Sequence, residues 1–301
     1  MKRTRRPDLR GEPRANLLLG DCLELLPRLL ANGKSPFDLV YVDPPFNAGG
    51  QRGARMKRGD RGKGPLAYAD SWGGLPAFLV MLEPRLAAMR DVMSDDGSLW
   101  LHLDHRAVHD AKAIADRVFG RPAFRGEVIW IPGNGARRTQ GPSVTHQTIL
   151  VYARGRRMIW NADDPALREP YAALSQRMHF RNVDAEGRRY REREINGKAY
   201  RYYAESGRRL GSVWSDCPAM RANTPLVQET TGYPTQKPER LLERIVLAAS
   251  RPQSRVLDPM CGSGTTLVAA ARHGRHWTGI DISPLACKVA TQRLERLDRA
   301  G

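Results

Sequence analysis

The fold class is decided by Val256-Leu257-Asp258-Pro259-Met260-Cys261-Gly262-Ser263-Gly264-Thr265-Thr266, which is typical of a buried strand running through a glycine turn into a helix. Glycine lets a backbone approach a ligand closely, and a helix N-terminus offers unpaired N–H groups to an anion. A short Gly-x-Gly turn is weak support by itself. Asp281 strengthens it, because this acid ends the next predicted strand, where a carboxylate can accept the ribose hydroxyls of a nucleoside cofactor. The alternative is that Asp281 only caps the following helix.

Apolar runs alternate with segments of helical periodicity on both sides of this turn. Strands are predicted at residues 17–19, 37–42, 98–103, 127–131, 148–152, 255–257 and 277–280. Helices are predicted at residues 22–30, 75–93, 106–119, 238–250, 266–273 and 284–297. This order predicts an α/β fold built on a seven-stranded, mostly parallel sheet.

Residues 155–232 interrupt the pattern and are interpreted as an inserted module between 1–154 and 233–301. They lack clear periodicity and carry a dense cationic stretch with interleaved tyrosines. This stretch contains Arg188, Arg189, Arg191, Arg193, Lys198, Arg201, Arg208 and Arg209 together with Tyr190, Tyr200, Tyr202 and Tyr203.

The charge balance indicates a polyanionic partner. The chain has 49 Lys and Arg against 32 Asp and Glu, a net charge of +17 and a pI near 10.3, which is too lopsided for a generic enzyme of small metabolites. The cations cluster at residues 2–10, in the loop at 52–63 and in the insert. A solvated basic surface is the alternative, and it suits residues 2–10 best.

Other site classes have little support in the sequence. The four cysteines form no C-x-x-C pair, so they are expected to be buried thiols in a reducing cytoplasm. His105 and His109 lack a nearby acidic third ligand, so no metal is expected and His102, His105 and His109 are interpreted as structural. No continuous apolar stretch follows the basic residues 1–10, so no export signal is expected. No run of eighteen apolar residues occurs, so no membrane partner is expected.

A second site is predicted at Asp43-Pro44-Pro45-Phe46, which follows the buried strand at 37–42. Two prolines fix the backbone and remove N–H donors, so the Asp43 carboxylate and the Pro44 carbonyl form a rigid pair of acceptors. An exocyclic amine on a base is a poor nucleophile because its lone pair is delocalised into the ring. Two acceptors that hold its hydrogens out of plane favour a pyramidal nitrogen that can attack in line. Phe46 would stack on the base.

These motifs, in this order, resemble the amino-methylating (N6-adenine/N4-cytosine) DNA methyltransferases, in the permuted beta class where the catalytic motif precedes the cofactor motif. The resemblance spans nearly the whole chain, and its anchors are residues 20–21, 43–46, 97–103, 235–238, 258–266 and 279–281. It implies a Rossmann-like fold dependent on S-adenosylmethionine. It also implies a catalytic half at 1–154, an inserted target-recognition region at 155–232 and a cofactor-binding half at 233–301.

The resemblance assigns expected roles to individual residues. The cofactor site would comprise Asp258, Pro259, Met260, Gly262, Ser263, Gly264, Thr265 and Thr266, with Asp281 at the ribose, Asp21 near the adenine and Lys237 near the methionine end. Catalysis would fall to Asp43, Pro44, Pro45 and Phe46. The clustered positive charge, and not the resemblance, predicts DNA contacts by Arg52, Arg55, Lys57, Arg58 and Arg61 in the loop and by Arg189, Arg191, Arg193 and Arg201 in the insert. The sequence departs from the family motifs at two positions: Met260 stands where the family often has Phe, and Phe46 stands where Tyr is commoner.

The base specificity rests on Asp43, since Asp-Pro-Pro goes mostly with adenine in this family and Ser-Pro-Pro more often with cytosine. We therefore expect N6-adenine methylation of double-stranded DNA, with N4-cytosine as the alternative. Because Phe46 follows Pro45 where a C5-cytosine enzyme would place a Cys, direct transfer without a covalent adduct is expected. A nucleic-acid-binding subunit that has lost catalysis, a homodimer and a companion restriction endonuclease remain open.

Overall fold

The computed structural model describes residues 15–31, 36–45, 51–53, 66–69, 73–133, 135–136, 138–220 and 229–300. The strands are β1 Ala15–Leu19, β2 Phe37–Val42, β3 Gln51–Gly53, β4 Leu66–Ala69, β5 Met93–Leu103, β6 Phe124–Trp130, β7 Gln147–Ala153, β8 Arg168–Glu169, β9 Asn182–Val183, β10 Arg189–Ile195, β11 Lys198–Tyr203, β12 Arg208–Arg209, β13 Val213–Trp214, β14 Arg255–Asp258 and β15 His276–Asp281. The helices are α1 Cys22–Ala31, α2 Leu75–Asp91, α3 Val108–Phe119, α4 Ala173–His179, α5 Glu239–Ala249, α6 Thr265–Arg272 and α7 Pro284–Ala300.

The main sheet confirms the predicted architecture. Its strand order is β1-β15-β14-β2-β5-β7-β6-β13, so the seven predicted strands all lie in it. Neighbouring strands are parallel except at β7, which runs antiparallel to β5 and to β6. The two-residue strand β13 is an eighth member that pairs with β6 and was not predicted. The sheet is therefore mostly parallel, with one reversed strand near one edge.

Helices cover both faces of the sheet. Successive strand side chains point to opposite faces, and the side chains on both faces are buried. Val40 and Val42 belong to a hydrophobic core that includes side chains of α1, α2 and α3. Leu39 and Tyr41, which point to the other face, are equally buried. The helices α5, α6 and α7 contact one another and the strands β2, β14, β15 and β1.

The topology brings distant parts of the sequence to one edge of the sheet. The parallel strands β1, β2, β5, β14 and β15 end at this edge, and the reversed strand β7 begins there. Strand β14 pairs with β15 on one side and with β2 on the other. In open α/β sheets, ligands bind in the crevice at such carboxyl ends.

Residues 161–211 form a compact unit of their own, and residues 1–160 with 212–301 form the other. The smaller unit contains a three-stranded antiparallel sheet in the order β11-β10-β9, the pair β12-β8 and helix α4. It is shorter than the predicted insert of 155–232, since β13 extends the main sheet. Among the described residues, no helix has the length and apolar character needed to cross a membrane.

Candidate active site

A cavity of about 630 Å³ opens at the carboxyl edge of the parallel strands. This volume is in the ordinary range for small-molecule and cofactor sites. The predicted residues that line it are Asp21, Asp43, Pro44, Pro45, Lys237, Asp258, Pro259, Met260, Gly262, Ser263, Thr265, Thr266 and Asp281. Gly264 is not part of the lining, and Phe46 lies outside the described residues. The structure thus brings the two predicted motifs together in one site.

The glycine turn after β14 has the backbone conformation that its sequence requires. Gly262 and Gly264 have φ values of 49° and 76°, in the left-handed region that side chains with a Cβ disfavour. A Cβ on Gly264 would lie 2.7 Å from the Cβ of Ala290, so glycine also allows α7 to pack closely against the turn. The Cys261 N–H donates to the Ile280 carbonyl at 2.9 Å, which ties the turn to β15.

Asp258 ends β14 and is 3% exposed. Its carboxylate accepts hydrogen bonds from the Thr266 hydroxyl at 2.6 Å and from the Met260 N–H at 3.2 Å. Burial raises the pKa of Asp258 to about 7, despite these two donors. Asp258 therefore fixes the start of α6 relative to the turn and carries a carboxyl group that titrates near neutral pH.

Asp281 ends β15, and its carboxylate accepts two backbone hydrogen bonds. The Gly262 N–H donates to Oδ2 and the Ser283 N–H donates to Oδ1, both at 2.8 Å. Burial raises the pKa of Asp281. The contact with Ser283 supports the helix at 284–300, as the capping alternative expects, while the contact with Gly262 and the position in the cavity place the carboxylate beside the cofactor turn. The hydrogen bond to Ser283 thus agrees with the capping alternative, and the contact of Asp281 with a ribose stays a prediction.

Asp43 follows β2, and its carboxylate forms an ion pair with Lys237. Lys237 is 7% exposed and lies two residues before α5, so the buried ammonium reaches Asp43 from a distant segment. The Thr265 hydroxyl donates to the Lys237 carbonyl at 3.2 Å, which links this segment to the glycine turn. The ammonium offsets the negative charge of Asp43 within the cavity.

Asp21 lies between β1 and α1 and also has a cationic partner. Its Oδ2 accepts a hydrogen bond from Arg85 at 2.5 Å, and its Oδ1 accepts one from the Leu23 N–H at 2.9 Å. Arg85 belongs to α2 and lines the same cavity. The carboxylate thus caps α1 and joins two helices at the rim of the site.

A model of the N6_N4_Mtase family, described as DNA methylase, matches residues 37–292 of this chain. The chain belongs to this DNA methylase family. The family resemblance expected from the sequence is therefore confirmed. Two curated relatives are type II methyltransferases: M.EcaI of Enterobacter cloacae, 28% identical over 89% of this chain and 66% of the relative, and M2.DpnII of Streptococcus pneumoniae, 28% identical over 86% of this chain and 82% of the relative. The chain thus spans just under two thirds of the length of M.EcaI.

Solved structures confirm the fold of this family. The M1.HpyAVI–SAM complex matches with a TM-score of 0.55 and 16% identity, over 93% of this chain and 98% of that one. The PvuII DNA methyltransferase, described as cytosine-N4-specific, matches with a TM-score of 0.57 and 12% identity, over 95% and 90% of the two chains. Family membership also confirms the predicted cofactor, S-adenosylmethionine.

The residues of the cavity fit S-adenosylmethionine. The turn with Gly262 exposes backbone to the cavity, and Asp281 carries acceptors for hydroxyl groups beside it. The buried Asp258 and the half-buried Asp281 are carboxyl groups held by neutral donors, which suits a ligand that bears a positive sulfonium. The bound cofactor would supply an electrophilic methyl group.

Arg293 is a site residue that the sequence did not reveal. This buried arginine of α7 donates from Nη1 to the Ser263 carbonyl at 3.0 Å and to the Thr265 hydroxyl at 2.9 Å. Its Nη2 donates to Glu239 at 2.7 Å. Arg293 therefore clamps the cofactor turn to α7 and α5. The available signal was its position on the otherwise apolar stripe of α7, where neighbouring residues such as Val289 are buried.

A buried hydrogen-bonded chain is a second feature that the sequence did not reveal. The Tyr41 hydroxyl and the His102 Nδ1 are 2.8 Å apart, and the His102 Nε2 and the Gln147 Oε1 are 2.7 Å apart. His102 is 0% exposed, and burial lowers its pKa well below the usual value, with the charge of Lys237 adding to the effect. Tyr41 and Gln147 both line the cavity. His102 is thus a neutral link in the wall of the site.

The other two histidines that were considered as metal ligands lie on the surface. His105 and His109 are exposed, His105 just before α3 and His109 within it. Within the described ranges, no group of three His, Cys, Asp or Glu side chains is arranged to hold a metal ion.

The predicted DNA-contacting arginines fall into several environments. In the smaller unit, Arg189 and Arg193 are exposed, whereas Arg191 lies half-buried among the rings of Tyr171, Phe180 and Tyr202. Arg201 pairs with Glu192 at 2.8 Å. Of the predicted loop, only the strand position of Arg52 is described, and Arg55, Lys57, Arg58 and Arg61 lie outside the described residues.

Proposed function

We propose that this protein transfers a methyl group from S-adenosylmethionine to the N6 amino group of adenine in double-stranded DNA. The observation that carries the proposal is the meeting of Asp43, Pro44 and the turn after β14 in one cavity. A base can enter such a cavity only after it has flipped out of the duplex, at a cost of a few kcal/mol that binding offsets. The relatives named type II methyltransferases support DNA as the substrate.

Asp43 and the Pro44 carbonyl are the acceptors for the amino hydrogens of the base. A carboxylate has about four lone-pair positions on two oxygens, so Asp43 can accept from Lys237 and from the amine at the same time. Holding both hydrogens frees the nitrogen lone pair for attack on the methyl carbon. Transfer leaves the nitrogen cationic, and the carboxylate that already accepts one of its hydrogens is placed to take the proton.

Asp281, Asp258 and the glycine turn form the cofactor half of the site. Asp281 would accept the ribose hydroxyls, while Asp258 holds Thr266 and the turn in place. Asp21 would lie by the adenine of the cofactor and Lys237 by its methionine end. Lys237 has a second role in this proposal, since its ion pair with Asp43 connects the cofactor half of the site to the residue that accepts the amino hydrogens of the base.

The preference for adenine rests on Asp43 within the family pattern. Cytosine-N4 is the second candidate, since the fold neighbour from the PvuII system is described as cytosine-N4-specific and both bases present the same kind of amine. We also propose a cytoplasmic location and residues 161–211 as the core of the target-recognition region. A homodimer and a companion endonuclease are further proposals, which native mass spectrometry and the neighbouring genes would test.

The test is mass spectrometry of nucleosides from DNA methylated by the purified protein. The wild-type protein should produce N6-methyladenine, and Asp43→Asn should produce none, while the exposed-site control Asp110→Asn should match the wild type. Cofactor binding by Asp43→Asn, followed by calorimetry, should persist because Asp43 acts on the amine. Methylcytosine alone would reject the adenine assignment, and full turnover by Asp43→Asn would reject the proposed mechanism.

A further inference from the structure

The wall of the cavity next to Asp43 contains the chain Tyr41-His102-Gln147. Three strands position it: Tyr41 is near the end of β2, His102 is near the end of β5 and Gln147 begins β7. Because β7 is reversed, its first residue lies at the same edge of the sheet as the ends of β2 and β5. In the strand order β14-β2-β5-β7, Gln147 therefore lines the cavity from one flank of β2, and the cofactor turn follows β14 on the other flank.

The chain has a defined direction because His102 is neutral. A neutral imidazole donates from one nitrogen and accepts at the other. The Gln147 Oε1 can only accept, so the His102 Nε2–H donates to it and Nδ1 accepts from the Tyr41 hydroxyl. The ring of Trp130, the register partner of Gln147, lies edge-on to His102 at 5.5 Å and limits its rotation.

With its oxygen held by His102, the Gln147 amide presents its nitrogen as the donor to a molecule in the cavity. Asp43 and Pro44, on the same cavity wall, present acceptors. An amine beside an unprotonated ring nitrogen complements this set, and adenine (N6 and N1) and cytosine (N4 and N3) both have it. Thymine has no exocyclic amine and presents carbonyls beside a protonated ring nitrogen, and guanine presents the same pattern at O6 and N1, so the same groups would oppose these edges.

We propose that Gln147 is a specificity-determining residue that donates a hydrogen bond to the ring nitrogen adjacent to the target amine, and that Tyr41 and His102 are positioning residues that orient it. This inference rests on the proposed function. It specifies which edge of the target base the site recognises. Gln147 is half-buried, and a base bound in the cavity would bury its donor further. Such a donor selects strongly, because a substrate without the matching acceptor leaves it unpaired.

The test is a cycle that removes the donor from the protein and the acceptor from the base. The substrates are duplexes with the methylated base of the natural site and with its deaza analogue, 1-deazaadenine if adenine is methylated or 3-deazacytosine if cytosine is. Wild-type kcat/KM should fall about 10- to 100-fold on the analogue. Gln147→Ala should show a similar fall on the natural base and little further loss on the analogue. Gln292→Ala, at an exposed position of α7, is the matched control and should behave as wild type.

Tyr41→Phe tests the positioning role. It keeps the ring and removes the hydroxyl, so the preference for the natural base over the analogue should shrink while cofactor affinity by calorimetry stays unchanged. Equal losses on both substrates in Gln147→Ala would show that the two groups do not interact, and this would overturn the inference while leaving methyl transfer intact. Absence of DNA methylation by the wild-type protein would instead overturn the proposed function, and the inference with it.

Discussion

Asp258→Asn is expected to stabilise the folded protein at alkaline pH and to have little effect in acid. Burial raises the pKa of Asp258 from 3.8 to about 7. A carboxyl group whose pKa is raised on folding favours the folded state most at pH values below 3.8, and this contribution is lost as the pH rises through about 7. Asparagine keeps an acceptor for Thr266 or Met260 and never ionises, so it avoids that loss.

The magnitude follows from the two pKa values. The interval from 3.8 to about 7 corresponds to roughly 4 kcal/mol at 1.36 kcal/mol per pH unit. The variant should therefore exceed the wild type in free energy of unfolding by up to about 4 kcal/mol at pH 8.5 and by about 1 kcal/mol at pH 4.5.

Urea unfolding of the cofactor-free protein, followed by tryptophan fluorescence at both pH values, measures this difference. Asp110→Asn, at an exposed position of α3, is the control and should change the free energy of unfolding equally at the two pH values. If the advantage of Asp258→Asn did not grow by more than about 1 kcal/mol between pH 4.5 and pH 8.5, the burial argument for this carboxyl group would be wrong.

Three further substitutions test the clamp, the ribose site and the recognition unit. Arg293→Met should lower the free energy of unfolding by about 1 to 3 kcal/mol, because it removes the hydrogen bonds to Ser263 and Thr265. Glu239 loses one of two arginine partners and keeps Arg272. The variant should also weaken cofactor binding in calorimetry, whereas the exposed Arg296→Met should change neither property. Asp281→Asn should weaken cofactor binding by about 1 to 3 kcal/mol, and an unchanged affinity would return Asp281 to a capping role alone. Arg193→Ala should reduce the slope of log DNA affinity against log salt concentration by about 1, whereas Arg201→Ala should change this slope less. Equal effects of the two variants would argue against DNA binding by only one face of the β10-β11 hairpin.

The last of these predictions depends on the register of the hairpin. Residues opposite one another in β10 and β11 share a face, so Arg193 lies with Tyr200 and Arg191 lies with Tyr202. Glu192 and Arg201 are opposite one another on the other face, where they form their ion pair. One face of this hairpin is thus cationic and aromatic, while the other carries the carboxylates. The sequence analysis predicts the same DNA-contacting role for Arg189, Arg191, Arg193 and Arg201, because proximity in sequence does not distinguish the two faces.

The sequence predicted the strand ends well because their chemistry is local. A buried apolar run that stops at an acid marks both the strand and the end that faces a ligand, and Asp43, Asp258 and Asp281 all follow this rule. The family order then placed these acids in one crevice, and the cavity confirms that they meet.

Contacts across elements were harder to predict because nothing in the local pattern specifies them. Lys237 was expected near the methionine end of the cofactor, and the structure shows that its ammonium also pairs with Asp43. Gln147 lies at the start of a strand in a glycine-rich neighbourhood, and its role depends on β7 running backwards beside β5. Strand direction follows from the connection between β6 and β7, which periodicity does not report.

The charges of the cavity oppose those of the whole chain. The protein carries +17, yet five aspartates line its cavity: Asp21, Asp43, Asp104, Asp258 and Asp281. Three of them pair with cations of the same cavity: Asp21 with Arg85, Asp43 with Lys237 and Asp104 with Arg106. The other two, Asp258 and Asp281, are held by hydroxyl and backbone N–H donors. Burial raises the pKa of both carboxyl groups, and a cationic ligand would favour their ionised form, because opposite charges attract strongly in a low dielectric. The proposed cofactor bears its positive charge at the sulfonium, and the DNA is a polyanion. The site therefore separates its two ligands by charge: the buried acids favour the sulfonium, and the basic surface favours the phosphates.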